Sequence, residues 1–254
     1  MRVIQNIFFF LAVACCSLGC DSETAGDCWQ TAGEMVEVEM NLPEFTKIRL
    51  DADVRMTLQQ GPQKVTVRAG KNLLPDVDVY VEDGRLVAQN NNFCNYVREY
   101  GTVEIIVSAP DINEIRNASK FEITSIGTLN YTSLQLLSDT SYEGGNKIRK
   151  SGDFFLDVDC DKIEVRANGS SLFKINGTVD DLQVRFFNES PRFEGADLIA
   201  EKVSVTHRSA NKIIVNPQQS ILGTLTGTGD VIAVNRPELV RVEQLYTGRL
   251  IFQE

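Results

Sequence analysis

The residue pattern that most suggests chemistry is a row of aspartates at Asp157, Asp159 and Asp161. An EF-hand type calcium loop would also need Gly at its sixth position and Glu at its twelfth. Those positions hold Lys162 and Asn168. In a strand the three carboxylates would lie about 6.6 to 6.8 Å apart on one face, too extended to wrap one ion unaided. The pattern therefore favours a solvated outer face, and we predict no metal site.

The same row also contains the best candidates for an acid and a base. Some β-helical proteins cleave polysaccharides with paired acidic groups, and here Asp157 and Asp159 could act with Arg185 or Arg208 from neighbouring segments. Their spacing does not distinguish them from other charged residues. We predict a non-enzymatic protein with no catalytic residues and no cofactor, and keep a carbohydrate-active enzyme as the alternative.

The single histidine, His207, is the other residue to consider. A hydrolase triad or a zinc site would require Cys, Asp or a second His at suitable spacing, and the adjacent sequence supplies none. We expect His207 to be a solvent-facing residue at a corner of the chain.

The cysteines after the N-terminal segment are Cys28, Cys94 and Cys160. In an oxidising compartment three cysteines allow one disulfide and leave one thiol. Cys160 alternates with apolar residues, which is typical of a buried strand position. Cys28 and Cys94 lie in polar, loop-like surroundings and are the candidate pair.

The first residues predict export. Arg2 precedes a short apolar run over residues 7–13, well below the roughly 20 residues that span a membrane, and Ser17-Leu18-Gly19-Cys20 follows. This ending resembles the lipobox of bacterial lipoproteins, with Cys15 as a competing acceptor. We predict a signal peptide over residues 1–19 and a lipid on Cys20, which would attach the chain to a membrane.

Residues 20–40 are predicted to form an acidic tether and a first strand. The acidic cluster after Cys20 resembles the surface-export signal of some Gram-negative lipoproteins, whereas Asp21 alone resembles an inner-membrane retention signal of others. We predict an outer-membrane lipoprotein of the cell envelope, exposed at the surface. The net charge of −10 excludes nucleic acid as a partner, because phosphate would be repelled.

From residue 35 onward, apolar and polar residues alternate with period two, which predicts strands with one buried side. Residues 41–110 are expected to form an N-terminal β part. Residues 111–254 show β units that recur about every 20 residues, each followed by a small or polar corner. The units begin at Ile115, Leu134, Ile163, Leu182, Val203, Ile221 and Val240. A fixed period favours an all-β, parallel β-solenoid or β-helix over an immunoglobulin-like sandwich.

With these corners in place, the chain resembles the head GIN domain family, the head domains of adhesins in bacterial envelope lipoproteins. The N-terminal resemblance includes Phe45-Thr46-Lys47-Ile48, Gln60-Gly61 and Asp83-Gly84-Arg85-Leu86. At the C-terminal end Thr226-Gly227-Thr228-Gly229 stays close to the glycine-rich corners of the family, but most other corners depart from them. The resemblance covers residues 41–252 and implies a parallel β-solenoid in two stacked parts, with an adhesin-like role.

Aromatic residues could provide a ligand surface. Phe186-Phe187 interrupts the alternation, and Phe93, Tyr96 and Tyr100 cluster in an Asn-rich segment. The other interpretation is that these rings cap an open end of the fold. We predict a lipoprotein that binds a glycan or protein ligand, with a structural envelope component as a further alternative; the oligomeric state stays open.

Overall fold

A computed structural model describes residues 27–92, 94–140 and 149–253 of the chain. This part is all β, as the period-two pattern predicts. Its only other regular elements are two short 3-10 turns, Asp27–Trp29 and Leu74–Asp76. No helix within these ranges is long and apolar enough to cross a membrane.

The strands fall into three groups by length and position. The first ten are short: β1 Met35–Met40, β2 Lys47–Ala52, β3 Arg55–Gln60, β4 Lys64–Gly70, β5 Val77–Glu82, β6 Arg85–Asn90, β7 Glu104–Ala109, β8 Glu114–Ser119, β9 Ile123–Leu129 and β10 Ser133–Ser138. Four long strands follow: β11 Phe154–Ala167, β12 Leu172–Phe186, β13 Arg192–His207 and β14 Ile213–Leu225. The last three are β15 Val231–Ala233, β16 Leu239–Gln244 and β17 Leu250–Phe252.

The predicted parallel β-solenoid is wrong. All 17 strands of the described residues belong to one sheet that mixes parallel pairs with the antiparallel pairs β1–β4, β4–β7 and β5–β6. This sheet curls into a nearly closed barrel around one hydrophobic core. Alternation failed to reveal this because it identifies the buried face of a strand, but not the direction in which a neighbouring strand runs.

The long strands change their buried face halfway along. In β11 Leu156, Val158 and Cys160 are buried, and after Lys162 the buried positions become Ile163 and Val165. The same change of phase separates the halves of β12 and of β13. Because successive side chains of a strand point to opposite faces, this shift keeps both halves directed at the core. The predicted β units that begin at Ile163, Leu182 and Val203 are therefore the second halves of long strands.

Across the core, neighbouring long strands place residues of the same kind next to one another in rows. Phe154 pairs with Phe173, and Phe173 with Phe193. The rings of Phe154 and Phe173 stack with centroids 4.7 Å apart and planes within 12°. Offset or stacked aromatic pairs add about 0.5 to 1.5 kcal/mol beyond the burial of their area. This aromatic row holds the long strands in register and so positions the outer faces described next.

Candidate binding surfaces

The aspartate row lies on the outer face of β11, as the sequence suggests. Asp157 and Asp159 are exposed. Asn176 Nδ2 donates to Asp157 Oδ1 at 3.0 Å, and Thr178 Oγ1 donates to Asp159 Oδ1 at 2.5 Å. In the described part of the chain, no three His, Cys, Asp or Glu side chains come close enough together to hold a metal ion. The carboxylates here form a ladder with the polar side chains of β12.

The structure does not place this acidic row beside the predicted arginine. Arg185 lies in the second half of β12, where its guanidinium contacts Glu164 Oε1 at 3.2 Å and donates to Gln183 Oε1 at 3.0 Å. In the register of β11 and β12, Asp157 pairs with Asn176, whereas Arg185 pairs with Arg166, nine residues further along β11. Arg208 follows β13 at an exposed corner. The proposed acid, base and arginine therefore do not meet in one site.

Arg185 instead borders a shallow depression of about 250 Å³ on the outer face of β12, β13 and β14, which we call the Arg185 groove. Its polar lining consists of Gln183, Arg185, Ser204 and Thr206, with Leu222 and Gly223 at the side of β14. The contacts of Arg185 with Glu164 and Gln183 use two of the five N–H groups of a guanidinium. The groove thus presents an amide, two hydroxyls and a cation on regular strands, where their spacing is set by the sheet.

A larger depression, of about 460 Å³, lies at the end of β1 and the start of β4. Its two charged side chains, Glu39 and Lys64, form an ion pair at 2.8 Å. Hydrogen bonding to Glu39 raises the pKa of the Lys64 ammonium. Arg185 also has an acidic neighbour in Glu164, but its groove adds the hydroxyls of Ser204 and Thr206 beside the guanidinium, and we therefore take the Arg185 groove as the better candidate for a ligand.

The expectation for His207 is wrong, because the ring is fully buried. It occupies the inward row of Phe186 and Leu225 on the neighbouring strands, and its edge faces the Phe186 ring at 6.1 Å. The alternation Val203, Val205, His207 carried this signal, since all three share one face. Nε2 lies 2.9 Å from the backbone carbonyl of Asn211 and therefore carries the proton, which leaves Nδ1 to accept a hydrogen bond from Ser209 Oγ.

The packing of His207 explains why a glycine, Gly229, stands at the neighbouring corner. A Cβ at this position would lie 2.0 Å from the Asn211 carbonyl oxygen and 2.6 Å from His207 Nε2. Both distances are far inside van der Waals contact, so any larger residue would displace the buried imidazole from its hydrogen bond. Packing against the buried His207, and not only the geometry of the turn, therefore requires a glycine in the corner Thr226-Gly227-Thr228-Gly229.

The buried imidazole predicts a pH dependence of stability. Burial lowers the pKa of His207, although the Asn211 carbonyl and the charge of Asp230 oppose the shift. The unfolded chain, with a His pKa of about 6.5, therefore takes up the proton first as the pH falls. We expect the free energy of unfolding to be greatest above that pH and to decrease as the pH drops towards the folded-state pKa. Urea unfolding at several pH values measures the free energy of unfolding of the unchanged protein and of His207→Leu. If that free energy changed with pH by the same amount in both proteins, the prediction would be contradicted.

The structure joins Cys28 and Cys94 by a disulfide with a Cα–Cα distance of 4.4 Å. Cys160 is a free, buried thiol, and burial raises its pKa. Its Sγ donates to the Leu129 carbonyl oxygen at 3.6 Å. Cys20, the predicted lipid site, lies outside the described residues.

The predicted aromatic residues separate into two environments. Phe186 is fully buried and Phe187 is half-buried, whereas Tyr96 and Tyr100 are exposed; Phe93 lies outside the described residues. The disulfide brings Trp29 to Tyr96, with ring centroids 5.4 Å apart. We call Trp29, Tyr96 and Tyr100 the aromatic ledge. Sequence reasoning missed Trp29, although its position next to Cys28 could have indicated it.

Comparisons with known proteins agree on one family and one fold. The family model described as "Putative auto-transporter adhesin, head GIN domain" matches residues 44–237. None of the curated proteins compared with the chain matches it.

Solved structures extend the likeness to nearly the whole chain. A "putative adhesin" from Bacteroides fragilis has a TM-score of 0.77 at 16% identity, with 88% of this chain and 99% of that chain covered. A "putative lipid binding protein" from Parabacteroides distasonis has a TM-score of 0.63 at 13% identity, with 88% and 99% covered. A "putative adhesin" from the same species has a TM-score of 0.60 at 14% identity, with 87% and 99% covered. At such identities the likeness shows a shared fold.

Proposed function

Because the chain belongs to the head GIN domain family, we propose that it is a non-enzymatic protein of the cell envelope that binds a glycan through the Arg185 groove. The observation that carries this proposal is the set of guanidinium, amide and hydroxyl groups that face outward from the two adjacent strands β12 and β13. The solved relatives are described as adhesins or as a lipid-binding protein. For this chain we propose the adhesin-like role.

The chemistry of the groove suits a ligand rich in hydroxyl and carboxylate groups. A guanidinium binds carboxylates with two parallel hydrogen bonds and is among the stronger donors in proteins. The Gln183 amide both donates and accepts, as the hydroxyls of Ser204 and Thr206 do, and sugar hydroxyls have the same double capacity. Since the groove is shallow, recognition would spread over several sugar units rather than enclose one.

The proposal predicts that Arg185 contributes much of the affinity. Replacing it with alanine removes charge-assisted hydrogen bonds to the ligand, and we expect the affinity for a glycan identified on an array to fall by about 10-fold to 100-fold. Lys174→Ala is the matched control, because Lys174 is an exposed cation on the same strand but on its other half. If the two variants bind equally well, the glycan does not use the groove.

The carbohydrate-active enzyme stays as the alternative, and the same mixtures test it. Product analysis of each glycan after incubation would show unchanged chains for a binding protein and shortened chains for an enzyme. Lipids belong in the ligand panel because one solved relative is described as lipid-binding. If no ligand bound at all, a structural role in the envelope would become the better proposal.

The proposal keeps Cys20 as the site of lipid attachment and the outer membrane as the location, with the body exposed at the surface. The short apolar segment before Cys20 and its lipobox-like ending support it. We expect the mature chain to begin at Cys20 and to carry acyl chains there. Intact-protein mass spectrometry of the membrane fraction measures this, with Cys20→Ser as the unacylated control; a mature chain that begins elsewhere without acyl mass would contradict the assignment.

A further inference from the structure

The aromatic ledge is the most exposed group of large aromatic side chains in the described part of the chain. The exposed fractions are 61% for Trp29, 72% for Tyr96 and 60% for Tyr100. Val97, between the two tyrosines, is also exposed. Large exposed apolar side chains grouped on a folded protein commonly mark a place where another surface docks.

A backbone hydrogen bond, the disulfide and the Arg98 side chain hold together the two segments that carry the ledge. The Tyr96 N–H donates to the Cys28 carbonyl oxygen at 2.9 Å, beside the Cys28–Cys94 disulfide. Arg98 then ties both segments together, because it donates to the Gln30 carbonyl oxygen at 3.0 Å and to the Cys94 carbonyl oxygen at 2.9 Å. The rings are thus fixed in an exposed arrangement, which lowers the entropy that docking would cost.

The position of the ledge along the chain indicates what docks there. The disulfide anchors Cys28 to the body, and Cys28 follows Cys20 by only eight residues. Even a fully extended chain would place the Cys20 atoms within about 29 Å of Cys28. If Cys20 carries the lipid, as the proposed function has it, the membrane must lie within this distance of Cys28, the neighbour of Trp29.

We propose that the aromatic ledge lies in the headgroup layer of the membrane to which the chain is anchored. Trp and Tyr are enriched in this layer, because their rings are apolar while the indole N–H and the phenol hydroxyl stay hydrated. The inference rests on the proposed lipid attachment. The ledge adds a second contact with the membrane. This contact sets the orientation of the body relative to the bilayer, which a lipid on a tether alone would not do.

Electrostatics point to a neutral lipid surface as the partner. Lys120, whose Nζ lies 4.6 Å from the centroid of the Tyr100 ring, is already paired with Asp53 at 2.8 Å. The chain as a whole has a net charge of −10, so anionic headgroups would not attract it. Contact by aromatic side chains therefore should not weaken when salt is added.

Trp29 makes the test direct, because it is the only tryptophan in the chain. The acylated full mature chain is reconstituted into phosphatidylcholine vesicles with and without bromine on the acyl chains near the headgroup. We expect Trp29 emission to shift to shorter wavelength on vesicles and to be quenched by the brominated lipid, equally at low and high salt.

The variants separate docking from simple tethering. A Tyr96→Ser, Tyr100→Ser double substitution is expected to lose most of the quenching. Tyr246→Ser is the matched control, because Tyr246 is equally exposed, at 58%, but follows β16 near the other end of the chain. The Trp29 emission of this variant should be quenched as strongly as that of the unchanged protein.

The outcomes distinguish the two proposals. Quenching that survives the double substitution, or an acylated chain whose Trp29 is not quenched, would overturn the docking of the ledge and leave the lipid anchor standing. A mature chain without acyl mass would overturn the anchor and, with it, the docking proposal.

Discussion

Replacing Phe173 with alanine is expected to lower the free energy of unfolding by about 3 to 5 kcal/mol. The ring is fully buried, stacks on Phe154 at 4.7 Å and contacts Phe186 at 6.1 Å. Its removal would leave a cavity between two long strands that the backbone ladder prevents from closing. The aromatic row would lose its central member, and with it the contact between the two halves of β12.

Urea unfolding followed by circular dichroism measures this change, with the midpoint and the slope compared between proteins. Ile126→Ala is the control, since Ile126 is an apolar residue exposed on β9 and its loss should change the stability by about 0.5 kcal/mol or less. A Phe173→Ala protein as stable as the Ile126→Ala protein would contradict the central place of the stacked rings.

The second large effect is expected at a buried ion pair that links three strands. Arg116 NH1 lies 2.8 Å from Asp139 Oδ1 and also donates to the Asp139 carbonyl oxygen at 3.1 Å. Both side chains are more than 90% buried. Arg166 of β11 approaches the other carboxylate oxygen at 3.5 Å. Asp139, just after β10, therefore balances the charge of arginines from both neighbouring strands.

Asp139→Asn is expected to cost about 3 to 5 kcal/mol, because it removes one charge of a buried pair while leaving the other inside the protein. Glu194→Gln is the matched control: its pair with Arg192 at 2.6 Å is partly exposed and should contribute less than about 1 kcal/mol. Equal stability of the two variants in urea unfolding would show that the buried pair is not a determinant of the fold.

Much of the secondary structure and the family could be predicted from the sequence. Alternation marked the buried positions of strands such as β2 and β3, because a half-buried strand must present one apolar side. Membership of the head GIN domain family is confirmed over residues 44–237. It could be predicted because the order of turns and corners along the chain survives even where single corners have diverged.

The burial of His207 and the Arg185 groove were not predicted from the sequence. The assignment of His207 to a solvent-facing corner is wrong because the corner residues nearby outweighed the alternation that places it inward. The Arg185 groove was not found at all. Its residues are ordinary for an outer face, and they form one surface only because β12, β13 and β14 run side by side in register.

For strands such as β2 and β3, the position of the strand and of its buried side chains follows from the sequence alone, because both depend on residues two positions apart. The direction of the strands and the closure of the sheet became evident only in the folded chain, where a mixed, nearly closed sheet replaces the expected parallel solenoid. The fold also places Trp29 beside Tyr96, far along the chain. These features depend on pairings between distant segments, and a local pattern of polar and apolar residues does not record which segment its partner will be.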